Sequence, residues 1–187
     1  MNELKLNNKR TILVGLAFLS ICSFWQMYDS VVPLILKKTF GMDESLTGAI
    51  MAADNILALF LLPLFGGLSD RTRGRLGRRT PYILAGTAGA VILMNLLPVL
   101  DNSYSREAAP FKLAAFVVTL GLLLIAMGIY RSPAVALMPD VTPKPLRSKA
   151  NAVINLMGAV GGILYLALAA LLYPTSKVAD LAHVNYQ

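Results

Sequence analysis

Gly66-Gly67-Leu68-Ser69-Asp70-Arg71-Thr72-Arg73-Gly74-Arg75-Leu76-Gly77-Arg78-Arg79-Thr80-Pro81 sets five arginines and one aspartate between two long apolar segments. Charge of this density is not stable in hydrocarbon, so the stretch reads as a short loop at a membrane surface. The rest of the chain agrees. Its 187 residues are 56% hydrophobic and only 14% charged, against about 25% charged in soluble domains. The apolar residues fall in blocks longer than about 18, the length that crosses a bilayer.

Working outward from the arginine loop, the hydropathy pattern predicts five spans, near 11–36, 46–68, 82–100, 113–137 and 152–174. The fold class is an all-α membrane protein, a single transmembrane domain over 1–187. The first span is too long for the apolar region of a signal peptide, contains Gln26 and Asp29, and lacks a small-residue cleavage site. It therefore reads as a retained helix. Pro139, Pro143 and Pro145, with Pro133 upstream, predict a firm stop to the fourth span. Eleven Lys and Arg residues lie on the side of the arginine loop and five on the other. The positive-inside rule then places the N-terminus, the arginine loop and the proline-rich loop in the cytoplasm, and the C-terminus outside. The polar tail, Thr175 to Gln187, gives no sign of a sixth span.

Composition also excludes several functions. The net charge of +7 is concentrated between apolar spans rather than along a polar surface, so no nucleic-acid partner is expected. One cysteine, Cys22, rules out an internal disulfide. One histidine, His183 in the tail, leaves neither a metal cluster nor a His-based catalytic set. With no Walker-type loop either, the chain reads as neither an enzyme nor an ATP-driven pump, and no cofactor is expected.

Three ionisable residues fall inside the spans: Asp29, Asp54 and Arg131. Each is expensive in lipid and is expected to face the bundle interior or a water-filled cavity. At 1.5 Å per residue, Asp29 and Asp54 lie at similar depth, roughly 10–12 Å from the outer edge. Two close carboxylates in low dielectric do not both ionise cheaply, so the pair can hold a proton; its oxygens can equally ligate a hard cation such as Na⁺. Arg131 lies roughly 9 Å above the predicted cytoplasmic end of span four, which makes a direct Arg131–Asp29 salt bridge doubtful. Asn155 in span five, at comparable depth, is a hydrogen-bond candidate for it. Trp25, Gln26 and Tyr28 suit a sugar, by ring stacking and hydrogen bonding, and equally suit interfacial packing. Bland readings stand beside the others: Asp54-Asn55 as a polar helix start, Asp29 as structural, Arg131 snorkelling to the interface. Gly158-Ala159-Val160-Gly161-Gly162 reads as a close-packing face.

Gly66-x-x-x-Asp70-Arg71 followed by Gly77-Arg78-Arg79 resembles the loop between the second and third spans of the major facilitator superfamily. The interval Thr72-Arg73-Gly74-Arg75-Leu76 is longer than in most of that superfamily. It is similar to the sucrose/proton symporter family and the related glycoside–pentoside–hexuronide, melibiose permease-like branch. Pro133-Ala134-Val135-Ala136-Leu137-Met138-Pro139-Asp140 and Arg147-Ser148-Lys149-Ala150-Asn151-Ala152 resemble segments of the sucrose-type transporters. The resemblance implies the N-terminal part of a sugar symporter working by alternating access, in a multi-pass plasma-membrane protein, with a C-terminal half not in this chain as partner. It implies a cytoplasmic gate of Gly66, Asp70 and Arg71, with Asp140 and Arg147 flanking the equivalent turn. Arg78 and Arg79 would anchor to lipid head groups or cap helix C-termini. Melibiose permease-like members carry second-span carboxylates where this chain has Ala58 and Leu62, which favours H⁺ over Na⁺ as coupling ion. Asp29 is then the proton carrier, Asp54 its neighbour, and Arg131 the counter-charge or substrate donor. The alternatives are an exporter of drugs or metabolites in the same superfamily and a non-transporting truncated membrane protein.

Overall fold

A computed structural model describes residues 8–102 and 109–173. The polar tail from Thr175, with His183 and the expected outer C-terminus, lies outside the described residues. Five long helices follow one another: α1 (Asn8–Lys38), α2 (Glu44–Arg71), α3 (Thr80–Asn102), α4 (Ala109–Val141) and α5 (Arg147–Leu172). All five are long and apolar enough to cross a membrane.

Local chemistry sets the helix ends. Asp43 caps α2 by accepting a hydrogen bond from the Ser45 backbone N–H at 3.3 Å. The Ser45 and Glu44 backbone amides hold its carboxyl below the usual carboxylate range. Gly41, with φ +63°, makes the turn before it. At the other end of α2, the Thr72 hydroxyl donates to Leu68 O at 2.9 Å.

The predicted stop at Pro139 is corrected. Helix α4 runs through both Pro133 and Pro139 and ends at Val141, four residues beyond the predicted 137. Neighbouring helices and side chains make a proline tolerable inside a membrane helix, where an isolated helix would break. Arg147 supplies the cap. Its Nη2 donates to Pro139 O at 2.9 Å and its Nε to Thr142 O at 3.4 Å, gathering terminal carbonyls of α4.

Helix α4 is the axis of the core. Tyr28, Val32, Ile35 and Leu36 of α1 pack with Phe116, Leu123 and Met127 of α4 and Leu97 of α3. The most extensive helix pairs are α1 with α5 and α3 with α4. Both rest on glycine. A Cβ on Gly86 would lie 2.7 Å from Tyr130 N, and one on Gly161 would collide with the Leu19 carbonyl. Small residues at these points let the helix backbones approach, which in a membrane supplies the packing energy. By contrast, α2 buries only Thr47 and Ser69.

A second core of Val14, Met138, Ala150 and Ile154 ties the start of α1 to the end of α4 and the start of α5. The N-terminal helix, the arginine loop and the proline-rich loop therefore share one end of the bundle, as their positive charge requires. At the opposite end Lys37 and Glu44 pair at 2.8 Å, both well exposed, where solvent screens the attraction.

Candidate functional site

The arginine loop folds into a clamp. Arg79 is nearly buried. Its Nε donates to Asp140 Oδ2 at 2.5 Å and its Nη2 pairs with Asp70 Oδ1 at 2.9 Å. Its Nη1 also reaches Ser69 Oγ at 3.4 Å, and that hydroxyl donates to Gly66 O at 2.9 Å. One guanidinium thus joins the last turns of α2 and α4, where its charge also meets the negative ends of both helix dipoles. Arg78 is more exposed and lies 3.7 Å from Asp140. Arg71, expected in the gate with Asp70, is exposed and pairs with no carboxylate among the described residues. Arg79 pairs with Asp70 instead, because it immediately precedes α3 and is carried back over the helix ends.

Two glycines make this possible. A Cβ on Gly66 would lie 2.9 Å from Ser132 Oγ, whose hydroxyl donates to Leu62 O at 2.8 Å. This pins α2 to α4. Gly77 has φ +86° and donates its N–H to Gly74 O at 3.0 Å, closing a turn that aims Arg78 and Arg79 inward. Gly77→Ala is expected to lower stability by about 1–3 kcal/mol, the cost of holding a side chain at positive φ. Thermal unfolding in detergent checks it, and an unchanged midpoint would refute the strained-turn reading.

A second cluster sits deeper, between α1, α2 and α4. The Arg131 guanidinium lies over the Trp25 ring, 4.7 Å from its centroid, a cation–π contact. Trp25 meets Tyr28 edge-on at 5.7 Å. Trp25, Asp54, Leu57, Ala58, Gly128 and Arg131 line one small pocket. Asp29 and Asp54 lie within electrostatic reach of each other and of Arg131. Among the described residues, no salt bridge joins Arg131 to either carboxylate. Three buried polar atoms, Trp25 Nε1, Tyr28 Oη and Asp54 Oδ1, have no hydrogen-bond partner. Asp29 itself is exposed on α1.

The extended α4 explains the placement of Arg131. Four more residues put it about 6 Å deeper than the sequence estimate, level with Trp25. Asn155 is exposed on α5, and no hydrogen bond joins it to Arg131. Gln26 faces α5: its Oε1 would lie 3.8 Å from a Cβ on Gly162. Among the described residues no group of His, Cys, Asp and Glu could hold a metal ion.

Five spans among the described residues, a polar centre between three of them and a clamp at the end that carries the arginine loop define a multi-pass integral membrane protein. The chain belongs to the major facilitator superfamily, whose sequence profile matches residues 13–177. It is similar to solute carrier family 45 member 3 of Homo sapiens, 31% identical over 80% of this chain and 27% of that protein. It also resembles sucrose transport protein SUC3 of Arabidopsis thaliana, at 30% identity over 68% of this chain and 23% of the relative. Alpha-ketoglutarate permease of Escherichia coli is 28% identical over 75% of this chain and 30% of its own length. The chain therefore spans less than a third of the length of these curated relatives. No solved structure gives a significant match.

Proposed function

We propose that this chain supplies part of the substrate pathway of a plasma-membrane sugar symporter driven by protons. The supporting observation is the Trp25–Tyr28–Asp54–Arg131 cluster, whose buried Nε1, Oη and Oδ1 atoms lack partners. A donor, a hydroxyl and an acceptor in one place suit a polyhydroxylated ligand. Relatives named as sucrose transport proteins support the same substrate class. The exposure of Asp29 within a membrane-spanning helix supports a water-filled pathway beside α1, since an ionised carboxylate facing lipid is expensive. A second half-transporter would form the other wall of that pathway, and its packing against α2 would account for how little α2 buries here.

In this reading Asp29 and Asp54 share the coupling proton and Arg131 is their counter-charge. Trp25 and Tyr28 contact the sugar, and Gln26 and Asn155 are peripheral to it. The Arg79 clamp, with Gly66, Asp70, Arg71, Gly77, Arg78, Asp140 and Arg147, holds the cytoplasmic gate. In the complete protein, Asp54→Asn and Asp29→Asn are expected to abolish proton-driven accumulation of labelled sucrose while sparing sucrose exchange at equal concentrations. Wild-type proton uptake with both variants would overturn the coupling role.

A second reading is organic-anion transport. It is favoured by the absence, among the described residues, of a carboxylate salt bridge to Arg131 and by the likeness to alpha-ketoglutarate permease. Uptake of labelled alpha-ketoglutarate without uptake of sucrose would select it.

A further inference from the structure

The clamp and the polar centre share one pair of helices. Asp54 of α2 and Arg131 of α4 stand at the centre; Asp70 of α2 and Asp140 of α4 stand at the clamp. Ser132 lies between the two, directly after Arg131. Its hydroxyl donates to Leu62 O at 2.8 Å, across 70 positions of sequence. Leu62 lines the same small pocket as Arg131, Trp25 and Asp54.

From Leu62 the contacts run on to the clamp. In a regular helix the Leu62 carbonyl also takes the backbone N–H of Gly66, so Ser132 joins the ladder of α2 at that rung. A Cβ on Gly66 would lie 2.9 Å from Ser132 Oγ, and its absence leaves room for this hydroxyl. Gly66 O accepts from Ser69 Oγ at 2.9 Å, and Ser69 Oγ accepts from Arg79 Nη1 at 3.4 Å. Ser69 is fully buried. Three hydrogen bonds and one rung of helix thus connect the clamp guanidinium to the residue beside Arg131.

Both helices are weakened where Ser132 ties them. Pro63 follows Leu62, and Pro133 follows Ser132. Neither proline has an N–H, so Leu59 O and Ile129 O each lose a ladder bond. Membrane helices bend at such points. A bond across the two bends makes α2 and α4 move together there, and Arg131 stands two residues from the bend in α4.

We propose that Ser132 is a positioning residue for Arg131: its bond to Leu62 O keeps the guanidinium over Trp25 only while the Arg79 clamp is closed. Release of Asp140 from Arg79 lets the ends of α2 and α4 part about the bends. The Ser132 bond then turns the Arg131 segment of α4 away from Trp25 on α1. Without that bond, α2 parts from α4 and Arg131 stays. These contacts hold whatever solute the protein carries.

Proton–nitrogen NMR of the 187-residue chain in detergent micelles tests this, because nuclei above the face of an indole are shielded by its ring current. The Arg131 guanidinium lies 4.7 Å from the Trp25 centroid, so its Nε–H proton should be shielded. Trp25→Leu gives the unshielded position, and Arg131→Lys assigns the signal. Asp140→Asn, which opens the clamp, should remove more than half of the shielding. Added to Ser132→Ala, the same change should leave the signal where Ser132→Ala alone has it. Ser132→Thr keeps the hydroxyl and should retain the response. Amides of α5 around Gly161 should hold their positions in every variant, which shows that the bundle is folded. The proposal is overturned by an unshielded Nε–H in the unmutated chain or by shielding that Asp140→Asn leaves intact. A response that survives Ser132→Ala, or one lost in Ser132→Thr, overturns it equally.

Discussion

Gly161→Ala should separate α1 from α5, whereas Gly162→Ala, one residue on, should leave the bundle intact. An added Cβ at Gly161 runs into the carbonyl and Cα of Leu19. That obstacle is helix backbone and cannot turn aside, unlike the flexible Met157 thioether that a Cβ on Gly15 would meet. The collision also displaces the bond in which Ser23 Oγ donates to Gly161 O at 2.7 Å. We expect a loss of about 2–3 kcal/mol, near the top of the usual cost of overfilling a packed site. At Gly162 the nearest atom, Gln26 Oε1, lies at an ordinary 3.8 Å, so alanine should add up to about 1 kcal/mol through helix propensity. Thermal unfolding in detergent measures both. Cys22 supplies a local readout, because its thiol lies against Gly158 on the same seam. Its labelling should accelerate in Gly161→Ala alone; matched midpoints and labelling rates for the two variants would reject this account.

The second large effect is at the clamp. Asp140→Ala should destabilise by about 3 kcal/mol, because it leaves a nearly buried cation with one partner fewer. Asp70→Ala should cost less, about 1 kcal/mol, being a more exposed partner whose loss leaves the shorter Arg79–Asp140 bond in place. Side-chain exposures decide the order: 9% for Arg79, 33% for Asp140 and 56% for Asp70. Combining Arg79→Met with Asp140→Leu should recover more than half of the loss, since an apolar pair needs no compensating charge. Unfolding of the two single variants and the double variant gives the coupling. Simple additivity would show that the bridge does not hold this end of the bundle together.

Much of this architecture is written in local sequence. The five spans follow from block hydropathy, and the shared end of the arginine and proline-rich loops follows from counting cations. The intramembrane charges Asp29, Asp54 and Arg131 stand out because an ionisable residue in an apolar block is rare. Other features depend on partners distant in the chain. Which of five arginines is buried cannot be read from the loop, because Asp140, the partner that decides it, lies 61 positions beyond Arg79. Pro139 reads as a helix stop because the helix breaks in isolation; Arg147, which gathers the nearby carbonyls, becomes relevant only after the chain has turned. That single boundary then misplaced Arg131 and hid its contact with Trp25. Gly158 to Gly162 read correctly as a packing face, but only coordinates separate Gly161, pressed on backbone, from Gly162, beside open space.

The stacking of Arg131 on Trp25 has an optical consequence. Trp25 is the only tryptophan in the chain. Light absorbed beyond the tyrosine edge is therefore taken up by a single indole, at the polar centre and beneath a guanidinium. A cation fixed over one part of that ring shifts the energy of its excited state, so the emission colour reports whether Arg131 is in place. The unlabelled polypeptide is its own probe of the Arg131 side chain, in any bilayer or detergent in which it can be prepared.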